Sequence, residues 1–150
     1  PPGFDAPEVE DAPYPTLVWR PARGLPADYT LVAYGYNAEI AEQAMDELFL
    51  AEEWLPEYIL VTQLSPLRPG PIIESAARTR RLVVVEEASA AFGFGAEVVA
   101  AVSQASAFEF RSRRVGARHV PVPCARTLED CVLPSAADVA AAVREMMKGE

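Results

Sequence analysis

Histidine, lysine and cysteine are scarce in this 150-residue chain: it has His119, Lys148, Cys124 and Cys131 and no others. A single histidine excludes an HExxH zinc site, a two-histidine ligand set and a proton relay between histidines. The cysteines stand seven positions apart, outside any CxxC pair. Two thiols in a reducing compartment therefore fit better than a disulfide framework, and a cytoplasmic location is expected. Also missing are the GxSxG nucleophile elbow and the GxxxxGK[ST] phosphate loop. Apolar runs such as Leu82–Val85 fall far short of the roughly 20 residues that span a bilayer. Positive charge is in deficit, 13 basic against 22 acidic residues for a net −9. That is the wrong sign for affinity built on neutralising phosphates, so neither a membrane nor nucleic acid is an expected partner.

What is present suits one globular domain. Hydrophobic residues make up 51% and charged residues 23% of the chain, enough apolar surface for a true core. Of 14 prolines, seven fall in the first 26 residues. That density forbids helix and interrupts strand pairing, so residues 1–26 read as a Pro-rich interdomain linker. A short edge strand is expected at Thr16–Arg20, and the folded domain at 27–150. The chain opens Pro-Pro-Gly without an initiator Met or a signal-like apolar core, which suggests a fragment of something longer.

From Asp28 onward, short apolar runs alternate with amphipathic stretches. Strands are predicted at Tyr29–Tyr34, Tyr58–Gln63, Arg81–Glu86 and Phe108–Val115. Helices are predicted at about 38–53, 71–79, 96–103 and 136–147, with Asn37 and Ser135 as N-caps and Pro71 at a first helical position. The order β-α-β-α-β-α-β-α implies an α/β fold of three layers, α/β/α, around a mostly parallel sheet of about five strands.

Few residues offer chemistry. Phe92-Gly93-Phe94-Gly95 lies between a central strand and a helix N-terminus, where backbone amides can hold an anion. A dinucleotide fingerprint would need glycine where Val98 stands, so a tight turn is the better reading. Glu86 and Glu87 end the strand, with one carboxylate expected in water and the other paired with an arginine. Basic charge is almost all arginine, twelve against Lys148 alone, and seven of the twelve cluster at Arg78/Arg80/Arg81 and Arg111/Arg113/Arg114/Arg118. They read either as a docking surface for an acidic partner or as counter-charges along an edge strand. His119 reads as a surface or packing residue, with no Ser or Asp partner discernible nearby.

RLVVVEE at 81–87, GFGAEV at 93–98, HVPVP at 119–123 and TLEDCVLPSAADVAAAVREMM at 127–147 together resemble the C-terminal domain of transketolase-like enzymes. The likeness is strongest to the beta subunit of the first component of pyruvate and branched-chain 2-oxo acid dehydrogenases. YTLVAYG at 29–35 and LSPL at 64–67 resemble that family's first strand and a strand-to-helix turn, so the likeness covers about 28–147. The resemblance implies a parent enzyme that uses thiamine diphosphate and magnesium. It also implies that the Glu activating the cofactor and the GDG-plus-Asn metal motif lie in other domains. This domain is then expected to bind no cofactor or metal, to have no catalytic residue and to be inactive alone.

Its implied role is subunit assembly as a homo- or hetero-oligomer with sister domains, and docking of a dihydrolipoyl acyltransferase or an acyl carrier protein. Phe92 and Phe94 as exposed aromatics, Arg113, His119 and Glu145 are the interface candidates. A ketol-transferring transketolase or deoxyxylulose phosphate synthase, with the arginines holding a sugar phosphate, is the alternative; a freestanding carrier-docking module is another. His119 stands where the family commonly has Asp, Arg68 where it has Asp after Pro-Leu, and Phe92 where it often has Gly. That pattern fits a retained fold with a specialised partner.

Overall fold

The computed structural model describes residues 3–149. Its elements are β1 (Glu8–Val9), β2 (Leu17–Trp19), β3 (Tyr29–Ala33), α1 (Asn37–Glu52), β4 (Pro56–Leu60), α2 (Gly70–Thr79), β5 (Arg81–Ser89), α3 (Phe94–Ala105), β6 (Arg111–Ala117), α4 (Arg126–Glu129) and α5 (Ala136–Lys148). The strands form one sheet in the order β1-β2-β4-β3-β5-β6. β4, β3, β5 and β6 run parallel, while β1 and β2 pair antiparallel at one end. None of the described helices is long and apolar enough to cross a membrane.

A parallel sheet covered on both faces needs strands apolar on both sides, and Tyr29–Ala33 is buried at every position. The two-residue period of the strand sorts these side chains. Leu31, Ala33, Val83 and Val85 meet Ala41, Leu48, Val139 and Val143 of α1 and α5. Val32, Leu82 and Val84 meet Ile72, Ala76, Val98 and Val102 of α2 and α3. Thr30, on the α2 face, is polar, and its hydroxyl is satisfied at 2.7 Å by both Ser75 and Thr79. Ser135 caps α5 in a reciprocal capping box with Asp138. Asn37, expected as a cap, is instead the first residue of α1.

The Pro-rich stretch accounts for the difference between about five expected strands and six. Leu17–Trp19 pairs with β4, as the edge-strand reading of Thr16–Arg20 anticipates, and Glu8–Val9 pairs with it in turn. Prolines tolerate this position because β1 and β2 lie at the sheet's margin. The first two prolines lie outside the described residues. Glu57, only 3% exposed, fastens the stretch. It accepts from Arg20 Nε at 3.0 Å and from Arg78 Nε and Nη2 at 3.1 and 2.9 Å. Burial raises the Glu57 pKa, but bonds from Arg78, Ser75 and Arg20 outweigh it and hold the carboxyl below the usual range.

The fourth predicted parallel strand begins later than its composition suggests. It runs Arg111–Ala117, and Phe108 and Phe110 precede it. Their rings meet edge to face at 6.0 Å and pack beneath the α2/α3 layer rather than lining a strand face. The short α4 is absent from the sequence-based prediction, since four residues are too few to show a helical period.

Candidate functional site: a carboxylate-filled turn at the carboxyl edge of the sheet

In an open α/β sheet, ligand sites form beyond the carboxyl ends of the strands, where the chain order reverses. Here that point lies between β3 and β5, because β3 leads to β4 on one side while β5 returns to the other. Tyr34 and Gly35 follow β3, and the last residues of β5 lead into the turn before α3. Two clefts open nearby. One of about 440 Å³ is bordered by Tyr34, Gly35, Val61, Thr62 and Leu64. Another of about 260 Å³ lies among Tyr36, Ile40, Glu87, Asp130 and Ser135.

Glu86 dominates the turn between them. The register of β5 against β6 shifts between Val85 and Ser89, so β5 bulges there. Alternation along the strand turns Glu86 to the same face as Leu82 and Val84, beneath the start of α3, where it is 0% exposed. Its Oε2 accepts the Gly95 backbone N–H at 3.1 Å, and Oε1 is buried with no partner among the described residues. Three glycines make this possible. A Cβ at Gly93 would stand 2.1 Å from Glu86 Oε2, one at Gly95 2.7 Å from Oε1, and one at Gly116 3.0 Å from its Cγ. Burial drives the carboxyl pKa upward, while the Gly95 amide and the Arg114 charge pull the other way without cancelling it.

The chemical consequence is specific. The α3 N-terminus, with its amides and positive dipole end, is already occupied by the chain's own Glu86 carboxyl group. A diphosphate would meet this carboxylate rather than open amides. The expected pairing of Glu86 or Glu87 with an arginine is corrected accordingly: Glu86 is bonded to backbone, and Glu87 is exposed. The sequence carries the signal, a glutamate nine residues before the second glycine of a Gly-Phe-Gly turn. Only the fold shows that it points into that turn.

The interface candidates lie on several elements. Phe92 is 99% exposed at the tip of the turn, with a left-handed φ of 63° that a phenylalanine rarely adopts. Phe94 is half-buried, packed beneath the sheet and edge to face with Tyr34 at 5.1 Å, so the reading of it as an exposed aromatic is corrected. His119 is exposed, but it has a partner that the sequence did not reveal. Ser89 Oγ lies 3.1 Å from His119 Nδ1, and the same oxygen accepts the Ala91 N–H at 3.2 Å. Phe92 and His119 therefore flank one turn. Arg113 is exposed on the edge strand β6, its Nη1 donating to the Ser112 carbonyl at 3.1 Å. Glu145 is exposed on α5. Cys124 and Cys131 are both free thiols. No cluster of three metal-ligating side chains occurs among the described residues.

Residues 23–139 match the family model described as the transketolase C-terminal domain. The chain belongs to this family. Over 125 residues it is 39% identical to the beta subunit of acetoin:2,6-dichlorophenolindophenol oxidoreductase from Cupriavidus necator, a match covering 81% of the chain and 36% of the relative. It is 32% identical over 126 residues to the mitochondrial pyruvate dehydrogenase E1 beta subunit of Saccharomyces cerevisiae, covering 82% and 34%. Among solved structures, a split-gene transketolase described as an inactive beta4 tetramer superposes with a TM-score of 0.70 at 27% identity, covering 83% of this chain and 39% of that one. A 2-oxoglutarate:ferredoxin oxidoreductase from Magnetococcus marinus shares the fold, with a TM-score of 0.55 at 13% identity over 96% of this chain and 20% of that one. The transketolase C-terminal domain thus corresponds to about a third of the curated relatives' length, and the resemblance read from the sequence is correct in family and in its beta-subunit kinship.

Proposed function

We propose that this chain is the assembly and docking domain at the C-terminal end of a thiamine-diphosphate-dependent 2-oxo acid dehydrogenase beta subunit. The observation that carries the reading is the family match across 23–139, with beta-subunit relatives at 32% and 39% identity. The self-filled α3 N-terminus supports placing the cofactor in other domains, because the turn does not fit a diphosphate. Thiamine diphosphate and magnesium belong to the parent assembly, and the isolated domain is inactive. Phe92, His119, Arg113 and Glu145 contribute to contacts with sister subunits or with an acyltransferase or acyl carrier partner. An exposed phenylalanine in a disfavoured backbone state is the kind of residue an interface buries.

The test uses the full-length protein with its partner subunit. Pyruvate, branched-chain 2-oxo acids or acetoin should reduce an artificial electron acceptor. Magnesium-dependent binding of thiamine diphosphate by the isolated chain, measured by calorimetry, would contradict the non-catalytic assignment. For docking, Phe92→Ala and Glu145→Ala should weaken association with a purified acyltransferase binding domain in sedimentation velocity. Unchanged association would remove those residues from the interface.

The likeness to a split-gene transketolase favours a second reading, ketol transfer between sugar phosphates. Activity with sugar phosphates and none with 2-oxo acids would establish it. Residues encoded upstream of Pro1 separate both from a freestanding module: a stop and start codon there favours the module.

A further inference from the structure

The arginines that the assembly role leaves unused converge at the opposite edge of the sheet, where β5 and β6 begin. A cleft of about 540 Å³ is lined by Arg78, Arg80, Arg81, Arg111, Glu109 and Phe110. We propose that this cleft binds a small polyanion carrying two or more phosphate or carboxylate groups.

The charge count is the first reason. The whole chain carries −9, with 22 acidic residues available as counter-charges. Among the described residues, Glu109 is the one carboxylate lining a cleft that four arginines border. Arg78 is committed to Glu57, whereas the partners of Arg80 and Arg111 among the described residues are uncharged. Arg80 stacks over the Phe108 ring, its Cζ 4.6 Å from the centroid. Arg111 Nη1 donates to the Met146 carbonyl at 3.4 Å. Neither is in an ion pair among the described residues.

The second reason is pre-organisation. A guanidinium offers five N–H donors in a rigid fork, and a stacking contact or a single carbonyl bond leaves most of them free to meet oxygen. Arg80 also sits at a left-handed φ of 60° as the residue that closes α2, which fixes where its side chain departs. A surface arginine that only keeps an edge strand soluble needs no such anchoring. The third reason selects the ligand's valence. One anionic group can satisfy one guanidinium fork, whereas a ligand with two such groups bridging Arg80 and Arg111 gains charge-assisted hydrogen bonds at both ends, which must exceed the repulsion from a chain of net −9. The cleft's volume falls in the range of small-molecule sites.

Isothermal titration calorimetry on the full-length protein tests this with pyrophosphate, citrate and inorganic phosphate as probes. Saturable one-site binding is expected for pyrophosphate or citrate, at least tenfold tighter than for inorganic phosphate and weakening steeply with added salt. Tighter binding of pyrophosphate than of citrate assigns phosphate chemistry; the reverse assigns carboxylate chemistry. Arg80→Ala and Arg111→Ala should each weaken binding at least fivefold, and Arg118→Ala, on the loop after β6, should not. If a variant fails to fold, the arginine side-chain Nε–Hε resonances of the wild type provide the readout, with perturbation expected at Arg80 and Arg111. The proposal is overturned by an absence of saturable binding for all three probes, by an unchanged affinity in both Arg80→Ala and Arg111→Ala, or by perturbations confined to other arginines.

Discussion

Glu86 and Glu57 are both buried carboxyls, yet they respond to pH in opposite senses. Glu86 binds its proton more tightly in the folded chain, because burial outweighs the Gly95 amide and Arg114. Its contribution to stability is complete below the ordinary carboxylate range and is lost as pH rises through the raised value. Glu57 is held below the ordinary range, so its contribution is present above that range and is lost as pH falls through the lowered value. Glu86→Gln should therefore leave stability little changed near pH 4 and raise it by about 1 kcal/mol near pH 8, read from urea unfolding at each pH. Phe92 gives a second residue-scale expectation. Removing its left-handed strain with Phe92→Gly should stabilise the isolated fold by about 1 kcal/mol, since no described contact is lost at a side chain 99% exposed. The same change should weaken assembly, and a melting temperature that falls instead would show that the ring is packed within the monomer.

At the level of elements, the turn into α3 and the adjoining strand β6 work as a unit of one carboxylate and three glycines. Gly95→Ala would press a methyl against Glu86 Oε1, Arg114 and Val84, and should cost about 2 kcal/mol. In a Glu86→Ala background that penalty should shrink, and a double-mutant cycle measures the coupling. Additive penalties would mean that Val84 and Arg114, not the carboxylate, hold the glycine. This unit shows where sequence reasoning stops. LVVV at 82–85 marks a central strand because a buried parallel strand must be apolar on both faces, and the β-α-β order follows from that. Alternation from Leu82 sends the Glu86 side chain to the α2/α3 face, but the closing of the Gly93–Gly95 turn over it depends on how α3 packs back on the sheet, which no single strand encodes. His119 is the same case: its partner Ser89 lies 30 positions earlier, across the β5–β6 pairing, where no local pattern reaches. Phe108 and Phe110 misled because their alternation is that of a strand, whereas their rings pack on each other before β6 begins.

For the whole molecule, the network on Glu57 joins the N-terminal stretch, β4 and α2. Arg78→Ala should destabilise the fold by about 1 kcal/mol, a modest figure because that side chain is half exposed and solvent screens it. Amide exchange should then quicken first in Leu17–Trp19, the strand that Arg20 and Glu57 tie to β4. At the same scale, exposed Phe92, Val120, Val122 and Leu128 lie on or after the β5–β6 end of the sheet. Such apolar surface favours self-association of the chain, and light scattering at high concentration should show a mass above 16.3 kDa.

The antiparallel margin also decides where the chain can be cut. The family match begins at residue 23 and ends at 139, after β2 and early in α5. A piece trimmed to those limits would bare the β4 edge at Tyr58–Leu60, strip Arg20 from Glu57, and discard Val143 and Met146 from the core. An unpaired edge beside a buried carboxylate that has lost a partner is a recipe for insoluble protein. Expression boundaries for this domain should therefore follow its hydrogen bonds, keeping Glu8–Trp19 at one end and all of α5 at the other.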